Sequence, residues 1–221
     1  MSGFTFQDLG VMDYAEALQK QTVIFDSLVA GKVKGETGKS YLLFCEHPPV
    51  LTLGKSGKEN NLLIPETLLQ QRGVSLYHVN RGGDITYHGP GQITGYPVFD
   101  LENWGMGLKQ YIGTLEEIVV RFLDLYGLKG ERLDRATGVW IDAEVPGKAR
   151  KICAIGVKSS RYVTMHGFAL NISTDLDYFS LINPCGFVDK GVTSLEKELG
   201  VKPDFEVAKE QLHMLFKECF R

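Results

Sequence analysis

"GVWIDAEVPGKARKICAIGVKSSRYVTMHGFALNIS" occupies residues 138–173. Apolar residues recur at every second position over most of it, the period of a strand with one face buried. Turn residues interrupt the pattern near "VPGK" (145–148) and "KSSR" (158–161), so the stretch reads as several strands joined by short turns. Upstream the period changes. In "GLKQYIGTLEEIVVRFLDLYG" (107–127), Leu108, Tyr111, Ile112, Leu115, Ile118, Val119, Phe122 and Leu123 form one apolar helical face, and Gly127 supplies the stop. "DYAEALQKQTVIFDSLVAG" (13–31) is a second helix, with Asp13 at its cap, Gly31 at its end and Gln21 a polar exception on its apolar face. Strands are expected at 40–46 and 50–53, split by Pro48 and Pro49, and three more across 73–101. Short helices near 176–181 and 193–199 and a last helix over 204–220 complete the order. Helices alternating with β-rich runs, with no linker or repeat, predict one α/β (α+β) unit over residues 1–221.

Composition narrows the setting. The 221 residues are 43% apolar and 23% charged, with 24 basic and 27 acidic side chains and a net charge of −3. That is ordinary globular composition, without the basic footprint of a nucleic-acid or polybasic membrane binder. "MSGFTFQDLGVMDY" has neither the basic nor the apolar region of a secretory signal, so a cytoplasmic protein with no membrane partner is expected. Cys45, Cys153, Cys185 and Cys219 form no C-x-x-C pair, and no metal site is expected.

Three stretches carry chemistry. "RGGDITYHGPGQITGYP" (81–97) holds five glycines among Arg81, His88 and two tyrosines. Glycine lets backbone lie close to a ligand, so this density favours a binding tunnel over turns alone. Its G-x-G-x-x-x-G spacing does not fit the dinucleotide fingerprint, and no phosphate-binding G-x-x-x-x-G-K-[ST] occurs. In "ARKICAIGVK" (149–158), strict alternation puts Lys151 on the face of Cys153, Ile155 and Val157, where a lysine requires a partner or a function. "MHGFALN" (165–171) offers Gly167 and Ala169 as a flat strip for an alkyl chain or a packed helix. Cys185, in "NPCG", sits on a turn, unlike the other three cysteines, which fall in apolar periodic stretches.

Together with "EHPPVLTLGK" and "GVTSL", these motifs resemble the lipoyl(octanoyl) transferases, in order over residues 45–200. The resemblance implies a mixed sheet flanked by helices with a smaller adjoining sheet, as in biotin and lipoate protein ligase catalytic domains. It implies transfer of an octanoyl group from acyl carrier protein to a lysine of lipoyl domains, those of 2-oxoacid dehydrogenase E2 subunits and glycine cleavage H protein. Cys185 would be the acyl-thioester nucleophile and Lys151 the group that lowers its pKa and moves protons. Arg81, Gly82, Gly83, Asp84, Ile85, Thr86, Tyr87 and His88 would line the acyl tunnel. So would Ala154, Ile155, Gly156, Gly167, Phe168 and Ala169, with His47, Tyr96 and Tyr14 at further pocket positions. No cofactor, neither ATP nor metal, is implied, and a monomer is expected. Arg72, Lys148, Arg150, Lys158 and Arg161 are candidates for docking an acidic carrier. The rival readings are an ATP-dependent lipoate or biotin ligase on the same fold, a non-catalytic acyl-carrier binding module, and an acyl hydrolase.

Overall fold

A computed structural model describes residues 3–183 and 190–221. Among these residues the strands form a seven-stranded and a three-stranded sheet. The large sheet runs β1 (Phe4–Val11), β2 (Ser40–Glu46), β6 (Gln92–Val98), β9 (Val163–Asn171), β8 (Arg150–Ser160). β7 (Gly138–Ile141) pairs antiparallel with β8, and β10 (Gly191–Val192) pairs with it in parallel at Arg150 and Lys151. The small sheet has the order β4 (Ser75–His78), β3 (Val50–Leu53), β5 (Ile85–His88).

Strand alternation sorts the packing. Leu42 and Phe44 of β2 enter the main core beneath α3 (Leu108–Asp124) and α5 (Phe205–Cys219). Leu43 and Cys45, one residue out of phase, join Ala17 of α1 (Tyr14–Val33) on the opposite face. The small sheet adjoins that second face. Its Leu51, Leu53 and Tyr87 pack outward with Leu69 of α2 (Glu66–Gln71) and with Leu181 and Ile182 at the end of the 3₁₀ turn Leu176–Leu181. α4 (Leu195–Leu199) starts at the cap Ser194, and α5 starts at Asp204, whose side chain accepts from Glu206 N and Val207 N.

Several elements differ from their sequence reading. β1 is unanticipated: it is a sheet edge, mostly exposed, whose alternating Phe4 and Phe6 pack on the main core, and it pairs in parallel with β2. α1 passes Gly31 and stops at Val33, because Gly35 at φ 74° provides the left-handed exit. The β8–β9 turn falls at Arg161 and Tyr162, both at positive φ, at the end of the expected "KSSR". The polar exception Gln21 has a structural cause: its Oε1 accepts from His166 N at 3.0 Å, beyond the last β6–β9 pair, Gly95 with Phe168.

Candidate active site

Between the two sheets lies a cavity of about 520 Å³. Its floor alternates along the large sheet: Thr94 and Tyr96 on β6, Gly167 and Ala169 on β9, Ala154 and Gly156 on β8. Register aligns these into rows, with Ala154 opposite Ala169, Ala169 opposite Thr94, and Gly156 opposite Gly167. Arg81 to Thr86 and His88 cover it, Tyr14 borders it from α1, and Leu108 and Ile112 border it from α3. Lys151, Ile155 and Phe168 complete the walls that the sequence pointed to.

Two expected residues lie elsewhere. Tyr87 alternates away from Thr86 and His88; its ring stacks on Tyr178 at 4.7 Å, on the far side of the small sheet. His47 is buried behind the wall and hydrogen-bonds Tyr96, 2.7 Å from Nε2 to the hydroxyl, so only Tyr96 meets the cavity. Cys185 lies outside the described residues.

Lys151 reaches the cavity through a break in strand alternation. Val139 faces Cys153 and Trp140 faces Lys151, so one step on β7 spans two on β8 and Ile152 is the extra residue. Ile152 and Cys153 are both wholly buried in the main core, whereas Lys151 lines the cavity near Ala154 and Gly156. Strict alternation, which grouped Lys151 with Cys153, is corrected by this bulge. The ammonium lies 4.6 Å from the centroid of the Trp140 ring and donates to Thr137 O at 3.2 Å.

The glycines have a more specific task than ligand contact. A Cβ on Gly156 would meet Gly82 O at 2.6 Å, and one on Gly167 would meet Gly95 O at 2.2 Å. Glycine at these positions lets the 81–84 segment lie on β8 and β9 pass β6, which is what closes the cavity.

The buried histidines and tyrosines around the cavity are neutral. Burial, with His47 and Arg81 nearby, pushes His88 down to about 3. Burial, then Arg81 and Lys158, does the same to His166, also to about 3. Burial holds the Tyr14 hydroxyl up to about 12 and raises Tyr96 well above the ordinary tyrosine range. Burial likewise raises the thiols of Cys45 and Cys153, making them poor nucleophiles.

Sequence reasoning passed over Gln92, Thr94, Asn171, His166, Leu108 and Ile112, all of which line the cavity. Gln92 lies inside one quoted motif and Asn171 ends another, and they share strand parity with Thr94 and Ala169, a signal that was available. Of the proposed docking residues, Arg150 is engaged by Glu198 and Asp142, and Lys158 lies over the Phe25 ring at 4.6 Å. Arg72, Lys148 and Arg161 are exposed.

Two packed sheets of these sizes with flanking helices define the lipoate and biotin protein ligase catalytic fold. A bipartite lipoate protein ligase from Thermoplasma acidophilum superposes with a TM-score of 0.70 at 16% identity, over 98% of this chain and 84% of that one. A biotin protein ligase from Aquifex aeolicus gives 0.52 at 12% identity, over 99% and 69%. The chain belongs to the family of the lipoyl protein ligase A/B catalytic domain, whose model matches residues 13–217. It is 70% identical, over 100% of both chains, to a protein from Parabacteroides distasonis named Octanoyltransferase, and is an enzyme of that type. Among the described residues no helix is long and apolar enough to cross a membrane.

Proposed function

We propose that this enzyme moves an octanoyl group from acyl carrier protein to a lysine of a lipoyl domain, through a thioester on Cys185. The observation that carries this reading is the cavity itself, walled largely by small and apolar side chains, with Lys151 at its wall beside the ionisable side chains of Arg81, Asp84 and Arg135. Burying an eight-carbon chain there, at about 0.8 kcal/mol per methylene, supplies about 6 kcal/mol for chain recognition. The neutral histidines add no charge that an alkyl chain would have to desolvate.

In the first step the Cys185 thiolate attacks the carbonyl of the octanoyl thioester, the carbonyl–sulfur bond to the carrier breaks, and the carrier thiolate leaves with the proton of the Lys151 ammonium, which becomes a neutral amine. One thioester replaces another, so no ATP is consumed. In the second step the acceptor lysine, as free amine, attacks the acyl-enzyme. An amide forms, the Cys185 thiolate departs, and the amine's proton is taken up by a base. A free lysine has a pKa near 10.4, so a base at the site matters, and Lys151 in its neutral form fills that role. Its ammonium form favours the Cys185 thiolate. The acidic carrier would dock on exposed basic residues, of which Arg72, Lys148 and Arg161 are examples.

Intact mass spectrometry after mixing with octanoyl carrier protein tests this. One octanoyl group, about 126 Da, should be added to the wild type and none to Cys185→Ala. An adduct that persists in the alanine variant removes Cys185 as the nucleophile. A requirement for ATP restores the ligase reading, and transfer to water rather than lysine the hydrolase reading.

A further inference from the structure

A line of buried polar side chains runs from the small sheet across the large one. Gln92 is 1% exposed and its Nε2 donates to Asn171 Oδ1 at 2.9 Å and to Tyr87 O at 3.1 Å. Both amide hydrogens are thereby used, so Oε1 is the atom that meets His88 Nδ1 at 2.9 Å, and His88 must donate from Nδ1. A neutral imidazole protonated at Nδ1 has its lone pair on Nε2. That nitrogen accepts from the Thr52 hydroxyl at 3.2 Å, and Thr52 Oγ1 accepts from Arg81 Nη2 at 2.9 Å. At the other end Asn171 Nδ2 donates to Thr193 O at 2.9 Å, and Thr193 N donates to Lys151 O at 2.9 Å. Every link donates in the same direction, from Arg81 towards Thr193, and a chain with one polarity admits one tautomer of His88.

We propose that Gln92 is a positioning residue: it holds His88 as the neutral Nδ1–H tautomer and, through Asn171 and Thr193, ties the small sheet to the β8–β10 pair that carries Lys151. The functional half of this inference rests on reading the cavity as the acyl site. The chain explains why Thr52, Arg81, His88, Gln92, Asn171 and Thr193 recur across separate motifs: they meet in one buried network. It also removes His88 as a proton shuttle, because both ring nitrogens are occupied. The groups facing His88 are Tyr14 from α1, stacked at 5.9 Å, His47 at 5.9 Å, Arg81 and His166. None of these supplies a negative charge while the tyrosine is neutral.

Imidazole nitrogen NMR on the full-length protein, with transfer kinetics alongside, tests the proposal. In the wild type His88 should show the Nδ1–H tautomer and stay uncharged from pH 8 to 5. Gln92→Glu keeps the size but replaces two donors by an acceptor, and sets a carboxylate against His88. His88 should then carry a proton on both nitrogens at pH 6. Octanoyl transfer should lose about 10- to 100-fold in kcat, with KM for the octanoyl donor within about threefold. A new ionisation should appear in its pH–rate profile. Gln92→Met should leave His88 uncharged but distributed between tautomers. A change confined to the melting temperature would mean a structural role only. An Nε2–H tautomer in the wild type overturns the proposal even if no variant folds, and so does a Gln92→Glu protein with His88 and kcat unchanged. A wild type that transfers no octanoyl group, but shows the expected tautomer, refutes the acyl-site reading and leaves the network standing.

Discussion

Replacing Glu198 with alanine removes the carboxylate that holds β8 to α4. Glu198 receives Arg150 Nε and Nη2, both at 2.6 Å, in a bidentate pair, and also accepts from the Thr193 hydroxyl. Exposed ion pairs contribute about 0–1 kcal/mol. Truncating one partner of a fully buried pair costs about 3–5 kcal/mol. Here the carboxylate side chain is 10% exposed and the guanidinium 26%. Arg150 would also keep Asp142 at 2.5 Å, so its charge would not be orphaned. The cost should therefore fall between the two limits, at about 2 kcal/mol, or roughly 4–8 °C in Tm for a chain of this size. Hydrogen bonding from Arg150 holds Glu198 below its ordinary value of 4.5. A depressed carboxylate stabilises the fold above its unfolded pKa and loses that contribution as pH falls through the folded value. The gap between wild type and Glu198→Ala should thus be full at pH 7 and shrink below about pH 4.5. Urea melts across that range, with an Arg150→Met double-mutant cycle, measure both terms. A loss below about 0.5 kcal/mol, or zero coupling in the cycle, would refute the reasoning.

Lys151→Arg keeps the cation beside Trp140 but cannot give up a proton, so transfer to the acceptor amine should fall by about 100-fold or more. Alkylation of the reactive thiol by iodoacetamide should change by less than about fivefold; near-normal transfer would move the proton role to another group. Gly156→Ala places a methyl 2.6 Å from Gly82 O and should push the 81–84 segment off β8. We expect a destabilisation of about 1–3 kcal/mol, together with a raised KM for the octanoyl donor in saturation kinetics; an unchanged KM would show that this segment does not cover the acyl chain. Gly113→Ala in α3, with nothing within 4 Å of the new methyl, should instead stabilise by about 0.5–1 kcal/mol in the same melts.

How much was legible in the sequence depended on whether a residue's neighbours lay within one element. The face of α3 could be read because the 3.6-residue period is local, and its buried residues are all among those expected, although Leu108 at its start is exposed. β1 was missed although Phe4 and Phe6 alternate onto the core, because that alternation is only two residues long and the strand's place is set by pairing with β2. Ile152 shows a harder limit. Period-2 reasoning is sound until one residue is inserted, and then every side chain beyond it changes face. Nothing local to "RKIC" reveals that β7 will skip Ile152, so the route by which Lys151 enters the cavity exists only once two strands are paired. Tyr87 is the opposite case: the parity that separates it from Thr86 and His88 was present in "ITYH", and treating the motif as a continuous strip hid it. Gln92 and Asn171 fall between these cases. Their strand parity was readable, but their bond to each other joins residues 79 positions apart, and only that bond fixes which way each amide faces. The same constraint explains why this cavity tolerates so many buried polar side chains in its walls. Arg81, His88, Gln92 and Asn171 are each paired with other residues of the chain, so the surface left in the cavity is largely apolar although the motif that forms it is not.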